Sequence, residues 1–306
     1  MGRSGAMERV TCRECYNARD DTRDERASGW ESAMTASDET TAGGGPPFLT
    51  LILPAYNESQ RLPRSLATIR EYLERGGLAA DVIVVDDGSA DGTSDVVEAA
   101  ARGWTALRLL RTEHRGKGHA VRAGLLAADG VYSFICDADL SMPIEQIARF
   151  LPPQQVDAQI VIGTREGPGA RRFGEPWRRH LMGRIFNALV RALALPGIQD
   201  SQCGFKCLRT DIGRELAAVQ TINGWGFDVE LLYVARRRGY RIEEVPIDWH
   251  YEPSSRIAPL RDSWRMTREV LAVHRNARQG CYDGACGERR DSAPASGREA
   301  AGAERV

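Results

Sequence analysis

The chain has 306 residues, of which 42% are hydrophobic and 27% are charged, and its formal net charge is −1. This composition fits one large globular domain or two small ones, and the balanced charge gives no reason to expect nucleic acid as a partner. No stretch approaches the roughly 20 apolar residues that a helix needs to cross a bilayer, so we expect no transmembrane segment in this chain.

Both ends of the sequence are polar and lack hydrophobic periodicity. Residues 1–46 and 281–306 are therefore predicted to be disordered tails on either side of a folded domain that covers residues 47–280. The first residues contain no apolar core of a secretory signal, so we expect a cytoplasmic protein.

The seven cysteines are an odd number, and in a cytoplasmic protein we expect reduced thiols. Two pairs in the tails, Cys12 with Cys15 and Cys281 with Cys286, have spacings that could contribute to a zinc site. Both pairs lie in polar, unpatterned sequence, which argues against such a site.

From Phe48 onward, short apolar runs alternate with helical patterns. The apolar runs are FLTLILPAYNE, DVIVVDDGS, ALRLLRTE and VYSFICDAD, and the helical patterns between them are RLPRSLATIREYLERGG, SADGTSDVVEAAARG and GKGHAVRAGLLAADG. This order predicts an α/β fold with a Rossmann-like, mostly parallel sheet and helices on both faces. Ligands collect at the carboxyl ends of the strands in such sheets, and the segments PAYNE, DDGS and DAD all follow strands there.

The last of these segments contains Asp137 and Asp139, one residue apart after a buried-looking strand. Two carboxylates this close repel each other. A Mg²⁺ or Mn²⁺ ion, which prefers oxygen ligands, would offset the repulsion and bind substrate phosphates. The alternative is a solvated turn with helix-capping aspartates.

The segment DDGS contains Asp86 and Asp87, which would accept hydrogen bonds from a nucleotide base or ribose, or would only form a turn and a helix cap. Tyr56 and Glu58, in the loop after Pro54, could complete that pocket.

Arg115 and Lys117 lie between glycines at a predicted helix start. Backbone amides at a helix N-terminus favour anions, and the two cations add to this preference. The alternative is a basic surface turn.

Several motifs in this order and spacing together resemble the family 2 glycosyltransferases, which have the GT-A fold. They are LPAYNE, VVDDGSADGT, RGKGHAVRAG and DADLSMP. In the second half, GTR, GIQDSQCGFKCLR and GWGFDVELLYVARRRGYRIEEVPIDW resemble the dolichyl-phosphate glucosyltransferase branch, whose close relative is dolichyl-phosphate mannose synthase. The resemblance covers about residues 49–279, so the folded domain is expected to be catalytic.

The resemblance implies that a nucleotide sugar binds over the sheet and that a metal bridges the acidic pair to its diphosphate. It assigns the nucleoside to Pro54, Tyr56, Glu58 and Asp87, and the metal and sugar to Asp137 and Asp139. The mannose synthase type often has Gln at the position of Ser141, so a water would replace that ligand here. Asp200 and Gln202 are expected to shape the acceptor side, with Gln202 near the nucleotide sugar. Lys206 is expected to face a phosphate or to be exposed.

An acceptor that is itself a phosphate requires arginines, because their planar fork binds phosphate oxygens in pairs. Arg165, at the end of the predicted fifth strand, is one candidate. Arg178 and Arg179, in the first turn of a predicted helix, are the others, unless they only extend to water. Asp228 lies where related inverting enzymes keep a base, and would hold an arginine, position the sugar or cap a helix.

Residues 177–195 form a predicted amphipathic helix. Its apolar face carries Leu181, Met182, Ile185, Phe186, Leu189, Val190 and Leu193. Its opposite face carries His180, Arg184, Asn187 and Arg191. The apolar face would pack into the core or lie on a bilayer beside the lipid chain of the acceptor, and the C-terminal segment LRDSWRMTREVLAVHRNARQ has the same two alternatives.

The sequence thus predicts an inverting, metal-dependent glycosyltransferase that moves glucose from UDP-glucose to a polyprenyl or dolichyl phosphate. It is expected to be peripheral on the inner face of a membrane. GDP-mannose as donor, a soluble acceptor, or a binding module without activity are the alternatives.

Overall fold

The structure, a computed structural model, describes residues 46–252 and 259–284, with side chains from residue 265 onward in the second segment. In chain order the strands are β1 (Leu49–Ala55), β2 (Ala80–Asp87), β3 (Leu107–Thr112), β4 (Tyr132–Ile135), β5 (Ile160–Thr164), β6 (Arg171–Phe173), β7 (Lys206–Arg209), β8 (Ile242–Pro246) and β9 (Asp248–His250). The α-helices are α1 (Leu62–Gly76), α2 (Thr93–Ala101), α3 (Lys117–Ala127), α4 (Trp177–Leu193), α5 (Thr210–Val219), α6 (Phe227–Arg237) and α7 (Pro259–Arg278), and a 3₁₀ helix covers Ile144–Phe150.

Seven strands form one sheet in the order β3-β2-β1-β4-β7-β5-β8. The first four pair in parallel, and β5 and β8 are also parallel, whereas β7 is antiparallel to both of its neighbours. The short strands β6 and β9 pair separately. The predicted α/β fold with a mostly parallel sheet is therefore confirmed, and β7 is the antiparallel exception.

The predicted strands and helices form because their apolar residues follow the right periods. All four residues of 82–85 in β2 are buried, as expected for a strand covered on both faces. Helix α1 instead buries one stripe, with Leu62, Leu66, Ile69 and Leu73 facing the sheet. Each such side chain contributes about 2 kcal/mol through the area it removes from water.

The core has two parts, one on each face of the sheet. One part combines side chains of α3, α5, α6 and α7, and the other combines those of α1, α2 and the 3₁₀ helix. This arrangement confirms the prediction of helices on both faces. It leaves the carboxyl ends of β1, β2 and β4 to be covered by loops.

The folded part extends past the predicted C-terminal boundary. Tyr282 is buried in the core, and its hydroxyl donates to Glu230 at 2.7 Å. The predicted tail at 281–306 thus starts too early, because one aromatic residue in a polar stretch gave no periodic signal. The predicted tail at 1–46 lies outside the described residues apart from Pro46. Among the described residues no helix is both long and apolar enough to span a membrane.

Candidate active site

The acidic pair after β4 lies in a cluster of partly buried charges. The Nζ atom of Lys117, the first residue of α3, is 2.5 Å from Oδ1 of Asp137. Burial acts to raise the pKa of Asp137, but Lys117, with contributions from Lys206 and Arg165, outweighs it and holds the pKa below its usual value. Asp137 is therefore held as a carboxylate by cations of the protein.

Asp139 has a different environment from Asp137. Its Oδ1 accepts a hydrogen bond of 3.0 Å from the backbone N–H of Ser141. Burial and the neighbouring charge of Asp137 nevertheless raise the pKa of Asp139 above its usual value. The acidic pair thus has a cation on the Asp137 side and an excess of negative charge on the Asp139 side.

This donor set fits a hard divalent cation. Among the described residues no three Asp, Glu, His or Cys side chains form a group that could hold a metal by themselves. Magnesium in phosphate-transferring sites commonly takes one or two carboxylates and completes its shell with substrate phosphates and water. Asp139, with Asp137 beside it, would hold such an ion, and the ion would neutralise a diphosphate.

A second buried ion pair lies behind the first. The Nζ atom of Lys206, in β7, is 2.6 Å from Oδ1 of Asp228, in the first turn of α6, and both side chains are almost completely buried. The expectation that Lys206 is exposed or faces a phosphate is wrong, because Asp228 and the carbonyl oxygen of Cys203 take its ammonium group. Burial raises the pKa of Asp228 in spite of Lys206, and the charge of Asp228 also reaches Lys117.

Asp87, the last residue of β2, organises the loop between β3 and α3. Its carboxylate accepts backbone N–H bonds from Arg115 at 3.0 Å and Gly116 at 2.9 Å, and it lies 2.9 Å from Nδ1 of His114. The ring of His114 stacks on Tyr56, with centroids 4.0 Å apart. Asp87 therefore joins the end of β2 to the loop that leads into α3, and the Tyr56–His114 stack connects that loop to the one after β1. This aromatic pair lies at the edge where the nucleoside is expected.

Two other predicted donor-site residues turn toward protein partners instead. Both carboxylate oxygens of buried Asp86 accept hydrogen bonds, from the backbone of Ser89 and from the hydroxyl of Ser94. Asp86 thus makes the contacts expected of the structural alternative, and its assignment to the nucleotide stays a prediction. The exposed guanidinium of Arg115 pairs with Glu113 at 2.6 Å, so of the two predicted cations only Lys117 reaches the acidic pair.

The loop after β1 contributes a residue that the sequence did not single out. Arg61 makes two bonds of 2.6 Å to the carboxylate of Glu58. Burial acts to lower the pKa of Arg61, but Glu58 and Asp139 outweigh it. The two residues border a groove of about 690 Å³ that residues 57–61, 90 and 91 line. The i,i+3 spacing of Glu58 and Arg61 was the feature of the sequence that could have revealed this ion pair.

Pro54, which was assigned to the nucleoside, lies within β1, opposite Val85.

Arg165 follows β5 as predicted, but its guanidinium is already taken. It forms two bonds to the carboxylate of buried Asp200, at 2.7 and 2.8 Å, and its backbone N–H adds a third at 3.0 Å. Burial acts to raise the pKa of Asp200, and Arg165 outweighs it and lowers the pKa to about 2. Arg165 is therefore a partly buried, paired cation near Asp137, and its use as a phosphate ligand stays a prediction. Gln202 lies half-buried in the loop that follows Asp200.

Arg178 and Arg179 occupy the first turn of α4 and take different positions. The guanidinium of Arg179 lies 5.1 Å from the ring of Tyr251, while that of Arg178 lies 5.5 Å from the exposed ring of Trp177. Tyr251 packs near Trp249, whose other contacts include Arg165 at 5.5 Å. Arg179 thus shares an aromatic column with Arg165, and Arg178 lies farther out.

Strand β9 connects that column to the acidic pair. The backbone N–H of His250 donates to the carbonyl oxygen of Ser141 at 2.8 Å, two residues after Asp139. The loop that contains the acidic pair and the segment 249–251 are therefore joined directly by the backbone.

Helix α4 buries only part of its predicted apolar face. Phe186 and Val190 lie in the core, whereas Trp177, Leu181 and Ile185 are 69%, 49% and 62% exposed. Leu189 and Leu193 continue the exposed stripe at intervals of four residues. Asn187, predicted on the outer face, is buried, because the helix is rotated so that its apolar arc is divided between core and surface.

A GT-A-like sheet, an acidic pair at the end of β4 and buried cations around it define a nucleotide-sugar-dependent glycosyltransferase. The model of the family described as glycosyl transferase family 2 matches residues 50–216, more than half of the chain. The chain belongs to glycosyl transferase family 2.

The relatives narrow the similarity to one branch of this family. A dolichyl-phosphate beta-glucosyltransferase of Drosophila melanogaster is 34% identical over 244 residues, which cover 74% of this chain and 74% of that protein. The enzyme of the same name from Dictyostelium discoideum is 30% identical over 244 residues, covering 74% and 73%. The predicted resemblance to the dolichyl-phosphate glucosyltransferase branch is thus confirmed.

Solved structures support the fold. A Mycobacterium tuberculosis glucosyl-3-phosphoglycerate synthase in complex with Mn²⁺, UDP and glucosyl-3-phosphoglycerate superposes with a TM-score of 0.56, at 20% identity, over 80% of this chain and 82% of that chain. A mannosyl-3-phosphoglycerate synthase from Rubrobacter xylanophilus gives a TM-score of 0.56 at 22% identity, over 80% and 77%. At these identities the likeness concerns the fold.

Proposed function

We propose that the chain transfers glucose from UDP-glucose to a polyprenyl phosphate such as dolichyl phosphate, with inversion at the anomeric carbon. Relatives that are 30–34% identical over about three quarters of the chain are named dolichyl-phosphate beta-glucosyltransferases. Donor binding is assigned to the edge where Tyr56, Asp87, Lys117 and the acidic pair lie.

The observation that carries the choice of a lipid acceptor is the exposed stripe of α4. Trp177, Leu181, Ile185 and Leu189 are large apolar residues on one line of a surface helix. Exposed apolar patches of this kind mark contact with a membrane or another apolar partner. The stripe begins at the turn that carries Arg178 and Arg179, so a phosphate at the arginines and a lipid chain along the stripe fit one acceptor.

The same surface supports peripheral contact with a membrane. Helix α7 packs beside α4 and adds the exposed Leu271 together with Arg275 and Arg278. Apolar side chains beside arginines are typical of helices that lie at the interface of an anionic bilayer.

The reaction then needs little base catalysis. An ionised oxygen of the acceptor phosphate attacks the anomeric carbon, the bond from that carbon to the diphosphate oxygen breaks, and the nucleoside diphosphate leaves with the electron pair. Asp228 is engaged by Lys206, which argues against its use as a base and for a structural role near the sugar. A divalent ion bound at Asp139 would supply Lewis-acid neutralisation of the diphosphate. The ion pair between Lys117 and Asp137 joins the start of α3 to the loop after β4 at the donor-binding edge of the sheet.

The test is a donor and acceptor panel on the full chain with Mn²⁺. UDP-glucose, UDP-galactose and GDP-mannose are each combined with a short polyprenyl phosphate or with a small water-soluble phosphate, and products are measured by mass. We expect glucosyl polyprenyl phosphate from UDP-glucose, with the β configuration by NMR. Faster turnover with the water-soluble phosphate than with polyprenyl phosphate would contradict the proposed acceptor. Faster turnover with GDP-mannose than with UDP-glucose would contradict the proposed donor. Absence of nucleotide binding in calorimetry would favour a binding module instead.

A further inference from the structure

Helix α7 sends one carboxylate toward the first turn of α6. Oε2 of Glu269 accepts a hydrogen bond of 2.6 Å from the backbone N–H of Gly226, the residue that precedes α6. The side chain of Glu269 is 17% exposed, and its other oxygen lies 3.2 Å from the more exposed Arg265. A carboxylate at a helix N-terminus is favoured by the free N–H groups and the dipole. Glu269 therefore caps α6 from a helix that lies about 40 residues later in the chain.

The loop that Glu269 contacts has no room for side chains at two positions. A Cβ atom on Gly224 would lie 2.2 Å from Oε1 of Glu269, and one on Gly226 would lie 2.7 Å from the Cβ of Glu269. Both distances are too short for real contacts. The two glycines therefore allow the carboxylate to reach the backbone.

The other side of this loop packs on the start of α3. A Cβ atom on Gly116 would lie 2.6 Å from the carbonyl oxygen of Asn223, and one on Gly118 would lie 2.7 Å from that of Ile222. The backbone N–H of His119 also donates to Asn223 at 3.2 Å. The 222–226 loop is thus held between α3 and Glu269, with glycines on both sides of the contact.

The loop carries an aromatic ring to the centre of the charge cluster. The Nζ atom of Lys117 lies 5.3 Å from the centroid of the Trp225 ring, a cation–π distance, while the same ammonium pairs with Asp137. Three residues after Trp225, Asp228 pairs with Lys206. The position of this loop therefore bears on both buried ion pairs.

We infer that Glu269 is a positioning residue for the transfer reaction, which acts on the donor site through the 222–226 loop. It fixes Gly226, the loop holds the Trp225 ring against Lys117, and Lys117 keeps Asp137 oriented for the donor. Glu269 itself does not contact the reacting groups. The inference rests on the proposed use of this edge for the nucleotide sugar, and it assigns a role to α7 beyond its outer surface.

The experiment compares Glu269→Ala with Glu269→Gln, which retains a carbonyl oxygen for the Gly226 N–H. The first readout is the Kd of UDP with Mn²⁺ by calorimetry, and the second is the KM for the nucleotide sugar against kcat. Glu269→Ala should weaken UDP binding about tenfold, because a charged hydrogen bond and the loop position are lost together. Glu269→Gln should stay within about twofold of the wild type. Arg265→Gln is the matched control, since it removes only the exposed ion pair, and should also stay within about twofold.

A double-mutant cycle tests the geometry itself. Gly224→Ala places a Cβ where the carboxylate of Glu269 lies, so it should weaken UDP binding about as much as Glu269→Ala. The clash disappears when both changes are made, and the double variant should be no weaker than Glu269→Ala alone. Additive losses would overturn the inference, as would wild-type binding by Glu269→Ala.

Trp225→Leu keeps the inference testable if Glu269→Ala does not fold. It should weaken UDP binding as Glu269→Ala does, and unchanged binding would overturn the proposed path through Lys117. Hydrogen exchange in the peptide that contains residues 222–228 should rise in Glu269→Ala and not in Arg265→Gln. If the wild-type chain binds neither UDP nor GDP, the proposed function fails, while unchanged exchange in that peptide would overturn the inference on its own.

Discussion

The ammonium of Lys117 lies 2.5 Å from the Oδ1 atom of Asp137, although 20 residues separate them in the chain. Strand β4 delivers the aspartate and the first turn of α3 delivers the lysine to the same edge of the sheet. The pair lowers the charge that a donor diphosphate meets at Asp137, whereas burial and the charge of Asp137 raise the pKa of Asp139.

Loss of the Lys117 ammonium should therefore impair the donor site more than loss of the Arg115 guanidinium. Lys117→Met should reduce kcat/KM by about 100-fold, because the partly buried Asp137 loses its ion-pair partner beside the phosphates. Arg115→Gln, which removes a cation two residues earlier that pairs with exposed Glu113, should change kcat/KM by less than about threefold. Equal effects of the two changes would contradict the central position given to Lys117. Steady-state kinetics with the nucleotide sugar varied measures both.

Asp139 is expected to be the main protein ligand of the metal. Asp139→Ala should abolish turnover while the thermal unfolding midpoint stays close to that of the wild type. Removal of divalent ions with EDTA should also abolish turnover, and added Mn²⁺ or Mg²⁺ should restore it in the wild type only. Asp95→Ala, an exposed carboxylate of α2, is the control and should remain active. Near-normal activity of Asp139→Ala would contradict the role of Asp139 as a metal ligand.

The two arginines at the start of α4 should serve the acceptor. Arg178→Ala combined with Arg179→Ala should raise the KM for polyprenyl phosphate by about tenfold or more, because charge-assisted contacts to phosphate are lost. The Kd of UDP should hardly change. Arg191→Ala, in the last turn of the same helix, is the matched control. Comparable losses of acceptor use and UDP binding in the double variant would assign the arginines to the donor or to the fold.

If the exposed stripe of α4 contacts the membrane, substitutions in it should weaken membrane binding without lowering the stability of the fold. Leu181→Ser with Ile185→Ser should weaken sedimentation with anionic vesicles and leave the free energy of unfolding within about 0.5 kcal/mol, because both side chains are exposed. Val190→Ala, five residues after Ile185 and buried, should instead cost about 2 kcal/mol of stability. Unchanged vesicle binding by the serine variant would exclude this stripe as the membrane contact.

The buried pair of Arg165 and Asp200 should dominate the acid sensitivity of this region. Asp200→Asn should cost about 3 kcal/mol at neutral pH, because the partly buried guanidinium of Arg165 loses its counter-charge. Asp248→Asn is the control, since its pair with exposed Arg171 has similar geometry but should contribute at most about 1 kcal/mol.

The pH dependence of the stability that this pair contributes follows from the direction in which the pKa of Asp200 is shifted. The folded state lowers the pKa of Asp200 from its ordinary value of 3.8 to about 2. The stabilisation is therefore complete above the ordinary pKa and is lost as the pH falls toward 2. Urea unfolding of the wild type and Asp200→Asn should show a difference that is constant near neutrality and shrinks below about pH 4. A difference that grows on acidification would contradict this assignment.

Much of the fold could be predicted from local patterns. The alternation of apolar runs with amphipathic segments predicted the four parallel strands at the start of the sheet and their helices, and the helix at Trp177 was predicted at its first residue. The antiparallel insertion of β7 was not predicted, because KCLR is too short for a periodic signal and its direction depends on neighbours far along the chain. The position of Tyr282 was missed for the same reason.

The sequence predicted which residues lie at the candidate site better than it predicted which of them pair with each other. The segments at the strand ends do lie at one edge, and Lys117 reaches Asp137 there. Asp86, Arg115 and Arg165 were assigned to ligands, yet each has a protein partner that the sequence alone did not indicate. Arg61 was missed although its i,i+3 spacing from Glu58 was visible, and Lys206 was misplaced because a single charged residue has no pattern that reveals a remote partner.

By itself, the sequence determined the order of the first four strands and their helices, the acidic pair after β4 and the family of the chain, since periodicity and motif spacing are local properties. Only the tertiary structure decided which charges neutralise each other. Arg165 meets Asp200 across 35 residues, and Lys206 meets Asp228 inside the core. The physical reason is that an ion pair depends on distance and loss of water, both of which are set when remote segments pack together.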